Sequence, residues 1–199
     1  MIRTLPLFLV LLLAAPALAG PDDWQQSYDA EARGDYGSAL GALEHLPQSE
    51  RQTYLFHLRR AWLRYLSGAH TDAIASYQQA AREHPDAVEP LLGLTLPQLA
   101  LKRWIDVVTT CDQVLKRDPG NATARGRKAW ALYNLGRYAD AEPVYRALVR
   151  DYPGDVELRS GLGWTLRNLD KKADAKQVFQ EILAIAPRHE SARAGLQGL

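Results

Sequence analysis

Three tryptophans, Trp62, Trp130 and Trp164, stand at intervals that are multiples of 34 residues. Tyr28 and Leu96 fall on the same step and complete one column of five positions. Tyr65 and Tyr133 follow Trp62 and Trp130 by three residues, which places them on the same stripe of a helix. Asn134 and Asn168 lie beside that stripe, with Arg127 and Arg167 near it. Aromatic faces offer large contact area at small entropy loss, and amide or guanidinium groups hydrogen-bond a peptide backbone or sugar hydroxyls. The candidate binding set is therefore Tyr28, Trp62, Tyr65, Trp130, Tyr133, Asn134, Trp164, Arg167 and Asn168, facing an extended peptide or a glycan. The same spacing also fits rings packed between neighbouring helices, and the two readings are compatible.

Catalytic chemistry has no comparable signature. His45, His57, His70, His84 and His189 are scattered, with no H-E-x-x-H or other ligand spacing. There is no G-x-S-x-G and no glycine loop to cradle a phosphate. The single cysteine, Cys111, can form neither an internal disulfide nor a cysteine-rich zinc site, and it lies on a helix face patterned for burial. The expectation is a non-enzymatic protein without metal or cofactor. The 199 residues carry 24 Lys+Arg against 23 Asp+Glu, so the cationic excess that drives nucleic-acid binding is absent. A chain 47% hydrophobic and 24% charged is one that folds.

The elements that position these residues repeat. Pro85, Pro119, Pro153 and Pro187 are 34 apart. Ser27, Ala61, Thr95, Ala129 and Gly163 form a small column on the same step. Ala39, Ala73, Val107, Ala141 and Ala175 form another, and Leu43, Tyr77, Cys111, Tyr145 and Phe179 a larger one. Gly34, Gly68, Lys102, Gly136 and Asp170 sit where the chain turns. Within a unit the apolar residues recur every three or four positions, as in Ala129, Leu132 and Leu135 and then Ala141, Tyr145 and Leu148. Each unit reads as two antiparallel helices, close where the small column allows.

This pattern resembles the tetratricopeptide repeat over about residues 20–189. The resemblance implies an all-α, right-handed superhelix of about five helix pairs whose first helices line a concave face. It implies binding of proteins or peptides, and seldom catalysis. The units fall at 20–53, 54–87, 88–121, 122–155 and 156–189, with 190–199 as a short C-terminal cap. The family's basic clamp for a C-terminal carboxylate needs Lys and Asn on the concave stripe. That stripe is apolar here at Leu58, Trp62, Leu92 and Leu96, which disfavours a chaperone-tail binder.

Some positions depart from the pattern. The first unit closes early at Pro47, which predicts a second helix over about 36–46. Ser49 and Gln52 then form an S-x-x-Q capping box that predicts the next helix from near Glu50. Pro97 falls inside the third unit's first helix, where a lost hydrogen bond costs roughly 3 kcal/mol and predicts a kink; Pro143 predicts a milder one. The tail after Pro187 can form about two helical turns, either a sufficient cap or an open end that docks onto a partner or a second copy.

Residues 1–19 read as a secretory signal: Met1-Ile2-Arg3, an apolar run from Leu5 to Leu13, and the small-residue site Ala17-Leu18-Ala19. Pro21 stands where a lipoprotein signal would need cysteine. The expectation is a periplasmic protein, exported, not lipidated and without a stable membrane anchor. Residues 20–53 carry 7 acidic and 2 basic side chains, and residues 122–189 carry 12 basic and 8 acidic. Opposite charge at the two ends fits a solvated surface or homo-oligomerisation through the ends. Two functions follow: an interaction scaffold of an envelope or secretion assembly, or a glycan-binding accessory of an exopolysaccharide synthesis or export system.

Overall fold

The computed structural model describes residues 21–199; the signal-like segment lies outside them. Eleven α-helices follow one another among the described residues. They are α1 (Pro21–Ala32), α2 (Tyr36–Glu44), α3 (Tyr54–Leu66), α4 (His70–Glu83), α5 (Glu89–Ala100) and α6 (Trp104–Arg117), then α7 (Ala122–Asn134), α8 (Tyr138–Asp151), α9 (Val156–Asn168), α10 (Lys172–Ile185) and α11 (Glu190–Leu196).

Two local signals recur along the array. First helices begin at a capping side chain: Thr53 accepts from the Phe56 amide, Asn121 from Ala124, Asp155 from Glu157 and Leu158, and His189 from Ala192. These caps fall at multiples of 34 residues, and a cap of this kind is worth about 1 kcal/mol. The α5 helix lacks one, because Val88 stands at its start. First helices end at a left-handed residue: φ is +75° at Gly34, +81° at Gly68, +55° at Lys102, +72° at Gly136 and +59° at Asp170. At four of these turns the next amide reaches back five residues, as in Arg137 to the Leu132 carbonyl at 2.9 Å. That is a Schellman turn, and it starts the second helix antiparallel to the first.

Packing follows the columns. Ser27, Ala61, Thr95 and Ala129 are wholly buried, as are Ala39, Ala73, Val107, Ala141 and Ala175. A Cβ added at Gly163 would stand 2.6 Å from Phe179 Cε1, so the ring sits directly under the small residue. Each helix packs chiefly on its chain neighbours. First helices also touch one another, α3 with α5, α5 with α7, α7 with α9 and α9 with α11. Second helices make no contact of comparable extent among the described residues, and a groove of about 520 Å³ separates α4 from α6. Helices that approach on one side and splay on the other form a curved solenoid with the first helices inside the curve.

One departure resolves differently from its sequence expectation, that of the first unit; Pro97 and the tail lie in helices, as the sequence implies. The second helix of the first unit stops at Glu44, and the Ser49–Gln52 capping box does not form. Residues Glu50–Gln52 make a single 3₁₀ turn, extended backbone at Thr53 (ψ 156°) interrupts it, and Thr53 caps α3 instead. The Glu50 carboxylate is taken by the indole N–H of Trp24 at 2.7 Å. Pro97 is buried inside an α5 that runs unbroken to Ala100. Its missing amide would have served Gly93, only one turn from the helix end. The terminal helix α11 packs on both α9 and α10, with Ala192 wholly buried.

Candidate functional site

A second size rule, between units, shapes the concave face. A Cβ at Gly161 would stand 2.5 Å from Tyr145 Cε1, and Cβ atoms at Gly93 and Gly195 would overlap the rings of Tyr77 and Phe179. Each aromatic of the large column, Tyr77, Tyr145 and Phe179, thus lies under a glycine of the next first helix. These glycines occupy the 34-residue column Arg59, Gly93, Arg127, Gly161, Gly195. At Arg127 the residue 16 positions before is Cys111, so a long side chain stands where no ring needs room. Cys111 is wholly buried, and burial pushes its thiol up to about 12, which keeps it neutral.

The predicted aromatic column divides between two cavities. The larger, about 1000 Å³, is lined by first helices of four consecutive units, from Trp24 and Tyr28 on α1 through Trp62 on α3 and Leu96 on α5 to Arg127 on α7. The smaller, about 580 Å³, holds Trp130, Tyr133 and Trp164 with Tyr145 and Ser191. Tyr65, Asn134, Arg167 and Asn168 line neither.

Their roles differ. Trp62 is partly buried and donates from its indole to Glu31 Oε1 at 2.6 Å. Trp164 donates to Ser191 Oγ at 2.8 Å and meets Phe179 edge-on, with ring centroids 5.7 Å apart. Both rings therefore pack between units while keeping part of their surface in a cavity. Trp130 is 47% exposed and lies parallel to Tyr133, with centroids 5.7 Å apart and 7° between the planes. Tyr28 is 53% exposed, with the Arg59 guanidinium 3.8 Å above its ring. Tyr65 lies tilted between the rings of Trp62 and His70, 5.8 and 5.7 Å away centroid to centroid. The amide nitrogens of Asn134 and Asn168 turn back to the carbonyls of Trp130 and Trp164 at 2.8 Å, and Asn168 also reaches Tyr133 Oη. Arg167 donates to the carbonyls of Ala194 and Gly195 and so holds the end of α11.

Charge in the larger cavity was not legible from the aromatic pattern. Glu31 accepts from Trp62 and is ion-paired with Arg59, whose side chain is nearly inaccessible. Burial raises the Glu31 pKa, but the hydrogen bonds from Trp62 and Arg59 and the Arg59 charge outweigh it and hold the carboxyl below the ordinary range. Glu89 accepts from Tyr54 Oη at 2.9 Å. Arg127 donates to Thr95 Oγ1 at 2.6 Å and to the Leu92 carbonyl at 2.7 Å, and burial lowers its pKa. Among the described residues no three of His, Cys, Asp or Glu converge as metal ligands.

The tetratricopeptide repeat profile matches residues 25–88, 110–156 and 127–190. No curated protein matches the sequence. Similar solved structures include a tetratricopeptide repeat protein from Parabacteroides merdae ATCC 43184, 18% identical over 88% of this chain and 70% of that one, with a TM-score of 0.80. A MamA protein is 14% identical over 82% of this chain and 89% of its own, with a TM-score of 0.75. MamA from Desulfovibrio magneticus RS-1 is 22% identical over 72% and 81%, with a TM-score of 0.70. The profile spans both ends of the solenoid, and the helix pairs, turns and packing columns carry its pattern: the chain belongs to the tetratricopeptide repeat family.

Proposed function

We propose that this protein is a non-enzymatic scaffold that holds an extended segment of a protein partner on its concave face. One observation carries the reading: a cavity of about 1000 Å³, walled by aromatic and aliphatic side chains with a few charged ones from four successive units. Its course past the first helices of four units suits an extended chain, and alternate side chains of such a chain would enter between first helices. The signal-like residues 1–19 support action in the periplasm after export, within an envelope or secretion assembly. The contrast between the acidic first unit and basic last units supports salt-sensitive association through the ends. Sedimentation at low and high salt tests that part, and a monomer at low salt rejects it. Peptide selection on the immobilised chain, with Trp62→Phe and Leu96→Asp as variants, tests the groove. Loss of the selected peptides with Leu96→Asp in a folded chain is expected; unchanged binding would reject the placement.

The parallel Trp130–Tyr133 pair, in which Trp130 is exposed and Tyr133 partly buried, favours a second reading, a glycan-binding accessory, because a flat exposed ring face of this kind stacks on sugars. Titration with soluble polysaccharides, followed by tryptophan fluorescence, separates the two. Absence of any response in the parent chain rejects the glycan reading.

A further inference from the structure

Arg59 and Arg127 hold equivalent places two units apart, but only one has its acid. Arg59 donates to Ser27 Oγ at 3.2 Å and is ion-paired with Glu31. Arg127 donates to Thr95, the counterpart of Ser27 at 68 residues' distance. The counterpart of Glu31 at the same distance is position 99, and Leu99 stands there. Among the described residues Arg127 forms no ion pair with a carboxylate; its partners are the Thr95 hydroxyl and the Leu92 carbonyl. The two acids lining the same cavity are already engaged, Glu31 by Arg59 and Trp62 and Glu89 by Tyr54.

We propose that Arg127 receives an internal Asp or Glu side chain of the extended peptide in the larger cavity, the partner replacing the acid that position 99 lacks. The proposal rests on the peptide-groove reading above and names what that groove selects. Only Nη1 of Arg127 is committed, to Thr95 and Leu92. The remaining edge of the guanidinium keeps the planar donor geometry that a carboxylate matches with two parallel bonds. A half-buried guanidinium without a counter-charge gains more from such a pair than an exposed one does, because solvent screens it less. Leu92 and Leu96 flank the position in the cavity wall, so the bound segment carries apolar side chains around its acid.

The test is selection of random twelve-residue peptides, displayed with no free C-terminus, on the purified chain. Peptides selected by the parent should be enriched at least threefold in Asp and Glu over the starting library. A selected peptide resynthesised with blocked ends should bind at least tenfold more tightly than its Glu→Gln or Asp→Asn form. Arg127→Met should abolish that difference. So should Leu99→Glu, which supplies the acid in cis and leaves Arg127 in place; circular dichroism and the unfolding midpoint establish that each variant folds. Enrichment of peptides without acids overturns the inference alone, as does equal binding of the acid and amide forms to the parent. Failure to enrich any peptide overturns the groove reading itself.

Discussion

Gly161→Ala and Gly126→Ala are the same chemical change in the interiors of two first helices, and the structure gives them opposite signs. Alanine in place of helical glycine contributes about 0.5–1 kcal/mol by lowering the entropy lost on folding. At Gly126 an added Cβ meets nothing within 4 Å, so that gain should appear in full. At Gly161 the Cβ would lie 2.5 Å from Tyr145 Cε1 and 2.6 Å from Cζ. Ordinary carbon contacts are about 3.5–4.0 Å, so the overlap is about an ångström. The Tyr145 ring is only 3% exposed and belongs to the main C-terminal core, which leaves it little room to withdraw. Overpacking of this kind costs about 1–3 kcal/mol, and the net expectation is destabilisation by about 1–2 kcal/mol. Urea unfolding followed by tryptophan fluorescence and far-ultraviolet circular dichroism measures both variants. In a Tyr145→Leu background the ring is gone and Gly161→Ala should turn neutral or stabilising, a coupling of about 1–3 kcal/mol. A Gly161→Ala protein stabilised as much as Gly126→Ala would refute the ring-under-glycine rule.

Other outcomes follow from the same packing. Glu31→Ala leaves Arg59 and the Trp62 indole without their acceptor and should cost about 2–3 kcal/mol in urea unfolding at neutral pH. Because the folded Glu31 pKa is lowered, its contribution is complete above the unfolded value of about 4.3 and is lost as pH falls through the lower folded value. The gap between parent and Glu31→Ala should therefore close at the acid end; a gap unchanged to pH 2 contradicts the assignment. Lys102→Gly and Asp170→Gly each relieve a left-handed residue and should raise stability by up to about 1 kcal/mol, whereas Gly136→Ala should lower it by a similar amount. Trp164→Ala removes a packed ring and its bond to Ser191 and should cost about 3–5 kcal/mol. Trp130→Ala removes an exposed ring and should cost under about 1 kcal/mol, so thermal melts of the pair discriminate wall from face.

Repetition made the architecture readable. Five aligned copies exposed the small, large and turn columns, because each is enforced by one contact repeated in every unit, such as Phe179 under Gly163. The site was less readable because its contacts run between units. Trp62 and Trp164 share a column, yet one bonds backwards to Glu31 and the other forwards to Ser191. Asn134, Asn168 and Arg167 lie near the stripe but bind backbone carbonyls, a choice that depends on rotamer and not on spacing. The Arg/Gly column lies on the same 34-residue step but is not among the columns singled out from the sequence. Its meaning needed the matching column of ring or no ring 16 residues earlier. Local exceptions such as Ser49 failed because Thr53 offered a better cap where the backbone was already extended.

The larger cavity touches four consecutive units, from α1 to α7. In an array where each unit rests mainly on its neighbours, the ends can open without the middle. A ligand laid along that cavity changes this, since opening any of the four units forfeits part of the same bound segment. Binding would then act as a longitudinal tie: fraying of the first unit and opening of the fourth become one event, and the ligand's mass-action stabilisation is shared across all four. Amide exchange should report it as a loss of the graded protection expected of a free solenoid, replaced over α1 to α7 by a single plateau. Beyond α8 the gradient should persist, making the protein's two halves differ in cooperativity although they share one fold.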